Sequence, residues 1–304
     1  MAERYPVHEV GVHEEDDVGS QLVPSPQLAS AMSEAKVLLP GSQIFKENES
    51  CLYGGTLFVG DMRYGITVGH PFIQKVLKDF HVECKNSLFK VLGGRCIESF
   101  YYFTYPDNRP ITADLSFLKL NPTIPAENTI QCFDNGRYQK YQLKLNKAPL
   151  KNGMSVTILN QDGEHMYGVI RNPKCSCDPY FQNCFSVVNN VKDCKRITRL
   201  GDSGSLVTSR PIPNSNVLVV YGMVIGIWGP CDCKSSNDCV CPRTTMTIAS
   251  DLRMVLEFII SSPAISCQLF PGIEPAKLKM IDFTPDAATP SNIDSGRGTI
   301  VRVG

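Results

Sequence analysis

The chain has 304 residues, of which 42% are hydrophobic and 20% are charged; this is enough apolar material for one large domain or two small domains packed together. Thirty Lys and Arg side chains balance thirty Asp and Glu side chains, so no net charge would hold the protein on nucleic acid or on an anionic membrane. No stretch approaches the eighteen apolar residues of a membrane span. The balanced charge therefore argues against nucleic acids as partners, and the charge and the apolar pattern together argue against membranes.

The first forty residues predict an N-terminal tail, acidic at 14–17 and interrupted by Pro24 and Pro26. Such low-apolar, Pro-containing ends usually stay mobile or wrap loosely. Residues 1–10 are polar and charged and lack the apolar core of a signal peptide. The sequence therefore predicts an intracellular, cytoplasmic protein.

The region after the tail has mostly the pattern of β-strands. Short runs rich in β-branched and aromatic residues are separated by Gly, Pro and Asn, which predicts an all-β sandwich or barrel. The runs are 56–60, 64–68, 115–120, 154–159 and 217–228. One segment differs, because the apolar residues of 248–260 fall on one helical face, with Ser250 or Asp251 as its cap. Residues 263–304 are Pro-rich and predict a C-terminal tail.

Residues 201–205 read Gly-Asp-Ser-Gly-Ser and precede an apolar run. A serine hydroxyl becomes a good nucleophile only when a base takes its proton and donors stabilise the oxyanion. Flanking glycines permit the tight turn that would point backbone N–H groups at that charge, but an ordinary turn uses the same residue types. The pentapeptide alone therefore leaves Ser203 as either a nucleophile or a turn residue.

Two other residues favour the nucleophile. His70 ends a strand pattern, and Asp114 lies among apolar neighbours, where a buried acid needs a partner. The order His70, Asp114, Ser203, with gaps of 44 and 89 residues, resembles that of chymotrypsin-like serine peptidases of the PA clan. The resemblance covers roughly residues 41–260. Residues 54–57, Gly-Gly-Thr-Leu, and 224–229, Val-Ile-Gly-Ile-Trp-Gly, also resemble family strands.

The resemblance implies two antiparallel six-stranded β-barrels with a C-terminal α-helix, spanning 249–260, and an active site between the barrels. The implied divisions are a tail at 1–40, a first barrel at 41–145, a second barrel with its closing helix at 146–262, and a tail at 263–304.

The activity that the resemblance implies is that of a serine endopeptidase working through an acyl-enzyme on a polypeptide substrate. Ser203 would be the nucleophile, His70 the general base and Asp114 the residue that orients the imidazole. The backbone N–H groups of Gly201 and Ser203 would form the oxyanion hole. This chemistry requires no cofactor.

The same resemblance assigns the substrate pocket. Ile197, six residues before the serine, and Thr198 would lie at the base of the first pocket, and the strand that pairs with the peptide would carry Ile227, Trp228 and Gly229. No acidic residue stands at the pocket position, so we expect a neutral or apolar substrate side chain rather than Lys or Arg.

Departures from the family pattern favour intracellular or viral-type members over secreted trypsins. Pro71 replaces the cysteine that usually follows the histidine, and no activation sequence precedes the barrels. Pairing of Asp202 with a freed N-terminus is therefore not expected, and this aspartate needs another role.

Thirteen cysteines complicate the expectation of a reducing compartment. Two clusters flank the expected pocket: Cys175, Cys177, Cys184 and Cys194, and the paired Cys-x-Cys motifs Cys231, Cys233, Cys239 and Cys241. The second cluster has four thiols that suit a structural zinc. Disulfides between the two loops and free thiols are the alternatives to zinc. Two other functions also stay open, a catalytically inactive binding module on the same fold and a zinc-stabilised interaction protein.

Overall fold

The computed structural model describes residues 36–47, 49–73, 78–84, 90–104, 110–134, 137–177, 181–189, 197–199, 201–212, 214–228 and 246–285. These residues form two β-sheets followed by helices. The first sheet contains β1 (Gln43–Lys46), β2 (Glu49–Leu52), β3 (Gly55–Val59), β4 (Met62–Thr67), β5 (Asp79–Glu83), β6 (Lys90–Thr104) and β7 (Pro110–Leu120). The second contains β8 (Thr129–Asp134), β9 (Arg137–Leu145), β10 (Ser155–Leu159), β11 (His165–Cys177), β12 (Phe181–Asn189), β13 (Leu206–Ser209), β14 (Val217–Trp228) and β15 (Met246–Asp251). The helices are α1 (Leu252–Ser261), α2 (Pro263–Leu269) and α3 (Pro275–Leu278).

The second sheet closes into a ring of six antiparallel strands. Its order runs β13, β10, β11, β12, β15, β14, and β14 pairs back with β13. The interior of the ring is filled by a cluster of buried apolar side chains that includes Val156, Ile158, Phe185, Val187 and Val207. Strands β8 and β9 extend the sheet beyond the ring, and β9 pairs with β14 in parallel. This parallel pair is a departure from the predicted all-antiparallel arrangement.

The first sheet closes because β2 and β3 act as one bent strand. Its order runs β2, β1, β5, β6, β7, β4, β3, and only Tyr53 and Gly54 separate the first strand from the last. The N–H of Tyr53 donates to the carbonyl of Ser42, on the β1 side, at 2.7 Å, and that of Gly54 donates to the carbonyl of Ile66, in β4, at 2.8 Å. The bent strand thus pairs with β1 at one end and β4 at the other, which gives the first predicted six-stranded barrel.

The closing helix is shorter than its sequence pattern predicts. It begins after Asp251, whose carboxylate accepts the N–H of Met254 at 3.2 Å as the N-cap. Ile248 and Ala249 instead belong to β15, where they pair with β12 and β14. Within the described residues, no single helix is long and apolar enough to span a membrane; α1 and α2 pass that test only together, across a bend of 100°.

Residues 263–285, inside the predicted C-terminal tail, pack on the first barrel. Phe270 and Phe283 are each 1% exposed, and the ring of Phe270 meets that of Tyr64 edge to face with centroids 5.1 Å apart. The backbone of Asp282 bridges to Phe58 in β3. This segment therefore forms part of the apolar core of the first barrel.

Asp282 fastens that segment to the end of β9. Its Oδ1 accepts the N–H of Leu145 at 2.8 Å and that of Phe283 at 2.7 Å. We expect Asp282→Ala to lower the free energy of unfolding by about 2 kcal/mol, because two buried N–H groups lose their acceptor. Asp282→Asn should cost much less, since its side-chain oxygen can accept both bonds. Urea unfolding of the two variants measures the difference, and equal losses would contradict this role.

Candidate active site

Asp114 and His70 form a hydrogen-bonded pair in the first barrel. The Nδ1 of His70 donates to Oδ2 of Asp114 at 2.9 Å. The other carboxylate oxygen, Oδ1, accepts the backbone N–H groups of Gly69 at 2.9 Å and His70 at 2.8 Å. The Asp114 side chain is buried, whereas the imidazole is 44% exposed. The carboxylate thus fixes one edge of the ring and leaves the other side accessible from solvent.

A β-bulge brings the carboxylate to the histidine. The register between β6 and β7 shifts between Phe100 and Tyr102, opposite the stretch of β7 that contains Asp114, and such bulges re-aim side chains. Asp114 has a φ of +40°, a conformation that costs a non-glycine residue free energy. On the facing loop, a Cβ on Gly69 would lie 2.8 Å from the carbonyl oxygen of Phe100. Glycine therefore allows the histidine loop to approach β6 and β7 closely.

The surroundings of His70 favour its protonated form. Burial lowers the pKa of the imidazole, but the hydrogen bond and charge of Asp114 raise it, as does the charge of Glu49. The net effect is a pKa of His70 above the ordinary imidazole value.

Two glycines in the left-handed region shape the loop that carries Ser203. Gly201 has a φ of +99° and Gly204 a φ of +98°, values that favour glycine. The N–H of Gly204 donates to the carbonyl of Val224 at 2.9 Å, and the N–H of Val224 donates to the carbonyl of Ser205 at 2.8 Å. The loop is thereby anchored on β14, and Ser203 stays partly exposed at its tip.

Leu52, at the end of β2, holds the serine and histidine loops to the same point. Its N–H donates to the carbonyl of Ser203, and its carbonyl accepts the hydroxyl of Thr67, three residues before His70; both distances are 2.8 Å. The Ser203 hydroxyl makes no hydrogen bond to any residue that the structure describes. In free enzymes such contacts are often long and shorten only with substrate bound.

Asp202 is fully buried beside the serine, and its carboxylate has backbone partners. Oδ1 accepts the N–H of Gln161 at 2.9 Å, and Oδ2 accepts that of Arg199 at 2.8 Å. Burial raises the pKa of Asp202 above its usual range, and the two N–H donors offset only part of this effect. These contacts supply the structural role that the sequence left open for this residue.

The residues expected at the base of the pocket are buried. Ile197 packs with the core of the second barrel, and the hydroxyl of Thr198 hydrogen bonds to that of Thr247 at 2.7 Å. Ile227 is partly buried and Trp228 is 38% exposed. Gly229 lies outside the described residues. The assignment of these five residues to a substrate pocket stays a prediction.

One edge of β14 beside the serine loop is open among the described strands. Residues 226–228 pair with β15 on one side, but on the other side β13 reaches only to Met223 and β9 only to Val220. Phe181 borders this stretch: a Cβ on Gly226 would lie 2.8 Å from its ring, and its centroid is 6.3 Å from that of Trp228 at 85°. Sequence reasoning missed Phe181, because only its neighbours in a cysteine-rich segment drew notice.

The cysteines assigned to a possible zinc site, Cys231, Cys233, Cys239 and Cys241, lie outside the described residues, as does Cys194. In the part of the chain that the structure describes, no group of three or more His, Cys, Asp and Glu side chains is placed to hold a metal ion. Cys175 and Cys184 are buried and face each other across β11 and β12. Zinc, disulfides and free thiols therefore stay open for the second cluster.

Comparisons with known proteins find similarity in structure rather than in sequence. No protein-family model matches the chain, and no curated protein matches it significantly. Among solved structures, it is similar to a glutamic acid specific serine protease at 15% identity, covering 72% of this chain and 96% of that one, with a TM-score of 0.49. A homolog of alpha-lytic protease (16% identity, 73% and 97% covered, TM-score 0.48) and Protease A of Thermobifida fusca (15%, 73% and 96%, 0.44) are similar too. By its own strand order, this chain has the double-barrel fold of the chymotrypsin-like serine proteases.

Proposed function

We propose that the protein is a serine endopeptidase in which Ser203 is the nucleophile, His70 the general base and Asp114 the residue that orients the base. The observation that carries the proposal is the Asp114 carboxylate, which binds Nδ1 of His70 and two backbone N–H groups of the histidine loop. This arrangement fixes the ring with its proton on Nδ1, so that Nε2 can accept a proton.

In the proposed reaction, Nε2 of His70 takes the hydroxyl proton of Ser203 as its oxygen attacks the peptide carbonyl. The negative charge of Asp114 stabilises the imidazolium, and the proton then passes to the leaving amine. The N–H groups of Gly201 and Ser203 would bind the oxyanion. In support, neither group donates to an acceptor among the described residues. In the second half of the reaction, His70 takes a proton from a water molecule as the water attacks the acyl-enzyme, and then returns a proton to the oxygen of Ser203.

The open edge of β14 supports an extended polypeptide as substrate. A peptide that adds a strand beside residues 226–228 would form backbone hydrogen bonds whatever its sequence, and its side chains would supply the specificity. The exposed part of Trp228 and the adjoining Phe181 favour an apolar side chain at that point of the peptide.

Covalent labelling tests the nucleophile. We expect a fluorophosphonate probe to add one adduct to the wild-type protein and none to Ser203→Ala, read by intact mass. The variant should lose peptidase turnover with nearly the same melting temperature, because only a partly exposed hydroxyl is removed. Ser261→Ala, at an exposed position at the end of α1, is the control; it should still be labelled.

An adduct that persists in Ser203→Ala would contradict the assignment of the nucleophile. If folded wild-type protein gave no adduct and cleaved no peptide library, the function would instead be that of a binding module on the same fold.

A further inference from the structure

The turn between β10 and β11, residues 160–164, is built on one buried side chain. The Oδ1 of Asn160 accepts the N–H groups of Asp162 at 3.0 Å and Glu164 at 2.8 Å, and its Nδ2 donates to Oε2 of Glu164 at 3.1 Å. A backbone bond from the N–H of Asn160 to the carbonyl of Glu164 closes the turn at 3.0 Å. The turn is thus held in one conformation by bonds within itself.

Three contacts fasten this turn and the strand before it to the loop that carries the serine. The backbone N–H of Gln161 donates to the carboxylate of Asp202 at 2.9 Å. The guanidinium of Arg199 pairs with the carboxylate of Asp162. The hydroxyl of Ser205 donates to the carbonyl of the last residue of β10 at 2.6 Å. Residues on both sides of the serine are therefore tied to one element.

The side chain of Gln161 lies directly against Gly201. A Cβ added to Gly201 would be 2.4 Å from Oε1 of Gln161 and 3.1 Å from its Cδ, so the carboxamide covers that glycine. Under the proposed function, the N–H of Gly201 is one of the two donors to the oxyanion. The carboxamide therefore lies against the residue that would supply this donor.

We propose that the turn at residues 160–164 orders the oxyanion hole, and that the neutral side chain of Gln161 bounds the hole on one side. The inference rests on the proposed function for the identity of the hole. Both oxygens of the buried Asp202 carboxylate accept backbone N–H groups, one from Gln161 in the turn and one from Arg199 in the serine loop itself, so this carboxylate joins the turn to the loop.

Charge substitution at Gln161 gives the first test. A carboxylate here would repel the developing oxyanion, and repulsion between like charges a few ångströms apart near a protein surface would slow attack by the serine by about 100-fold. We expect Gln161→Glu to react with the fluorophosphonate about 100-fold more slowly than Gln161→Met, a neutral side chain of similar length, so that the difference reports the charge alone. Gln131→Glu, the same change at an exposed position of β8, is the matched control and should react normally. Wild-type reactivity of Gln161→Glu would overturn the role of Gln161.

Hydrogen exchange read by mass spectrometry gives a second test that needs no activity. We expect Asn160→Ala, whose lost hydrogen bonds all lie within the turn, to speed exchange in peptides covering 201–207 while peptides of β6 and β7 exchange as before. Asp202→Asn should also speed exchange at 201–207, because the NH₂ group of asparagine would face one of the two backbone N–H donors and could not accept its hydrogen bond. Unchanged exchange at 201–207 in both variants would overturn the ordering role. A wild type that never reacts with the probe, but shows these exchange changes, would refute the proposed peptidase and leave the ordering role supported.

Discussion

We expect Asp114→Asn to hydrolyse peptides about 10⁴-fold more slowly than the wild type while keeping its fold. The asparagine oxygen can replace Oδ1 and accept the N–H groups of Gly69 and His70, now 2.9 and 2.8 Å from that atom. The amide nitrogen then takes the position of Oδ2 and donates to Nδ1 of His70. This forces the ring proton onto Nε2, the nitrogen that must accept the serine proton. The ratio of kcat/KM values for one peptide substrate measures the loss.

The pH profile separates this explanation from a general loss of structure. In the wild type, His70 must be neutral to act as base, so activity falls as the pH drops below the pKa of His70. Because that pKa is raised, we expect the fall at a pH above the ordinary imidazole pKa of about 6.5. Asp114→Asn removes the charge that raises this pKa and reverses the hydrogen bond, so that the bond now favours the neutral ring. Burial, which lowers the pKa, is then opposed only by the charge of Glu49. The acid limb of the residual activity should therefore move to lower pH. An acid limb that stays in place would show that Asp114 does not set the pKa of His70.

Asparagine also keeps the backbone cost at position 114 close to that of aspartate, so that the two proteins differ mainly at the side chain. Asp114 has a φ of +40°, and asparagine enters the left-handed region more readily than most residues. Asp114→Ala would change the backbone cost and leave two N–H groups without an acceptor. A melting temperature close to that of the wild type is therefore expected for Asn and not for Ala.

The sequence predicted the fold well where local patterns decide it. Strand patterns at 56–60, 64–68, 115–120, 154–159 and 217–228 correspond to β3, β4, β7, β10 and β14, because alternating and β-branched residues there face a buried sheet. Barrel closure through the bent Tyr53–Gly54 junction could not be predicted, since it depends on pairing with Ser42 and Ile66 from other strands. Asp251, one of the two predicted caps, is the N-cap of the closing helix, but the span of 249–260 began three residues too early, because residues 248–251 belong to β15.

The candidate site was likewise predictable only in part, because some of its contacts join residues that are distant in sequence. The order and spacing of His70, Asp114 and Ser203 predicted a shared site, and the structure pairs the first two directly. The partners of Asp202 were not predictable, because they are backbone N–H groups that carry no sequence signal. Gln161 was missed for a similar reason: it lies in an ordinary turn about forty residues before the serine, and only the closed second barrel brings it to Gly201.

Gly204→Ala should be the most destabilising single substitution in the serine loop. Its φ is +98°, and an added Cβ would lie 2.1 Å from the carbonyl oxygen of Leu52 and 3.0 Å from its nitrogen. A left-handed alanine costs about 1–2 kcal/mol, and the contact with fixed backbone adds to that cost. We expect the free energy of unfolding to fall by about 3 kcal/mol. The loop must also move away from Leu52, which breaks the bond to the carbonyl of Ser203 and should abolish fluorophosphonate labelling.

Gly153→Ala is the matched control for this prediction. Gly153 has a similar φ of +82°, but an added Cβ there would meet no atom within 4 Å. Gly153→Ala should therefore lower the free energy of unfolding by only about 1 kcal/mol, the cost of a left-handed alanine. Labelling of Ser203 should be unchanged. Urea unfolding and labelling rates of the two variants isolate the effect of the close approach. Equal stability losses, or normal labelling of Gly204→Ala, would mean that the contact between this glycine and Leu52 does not position the serine.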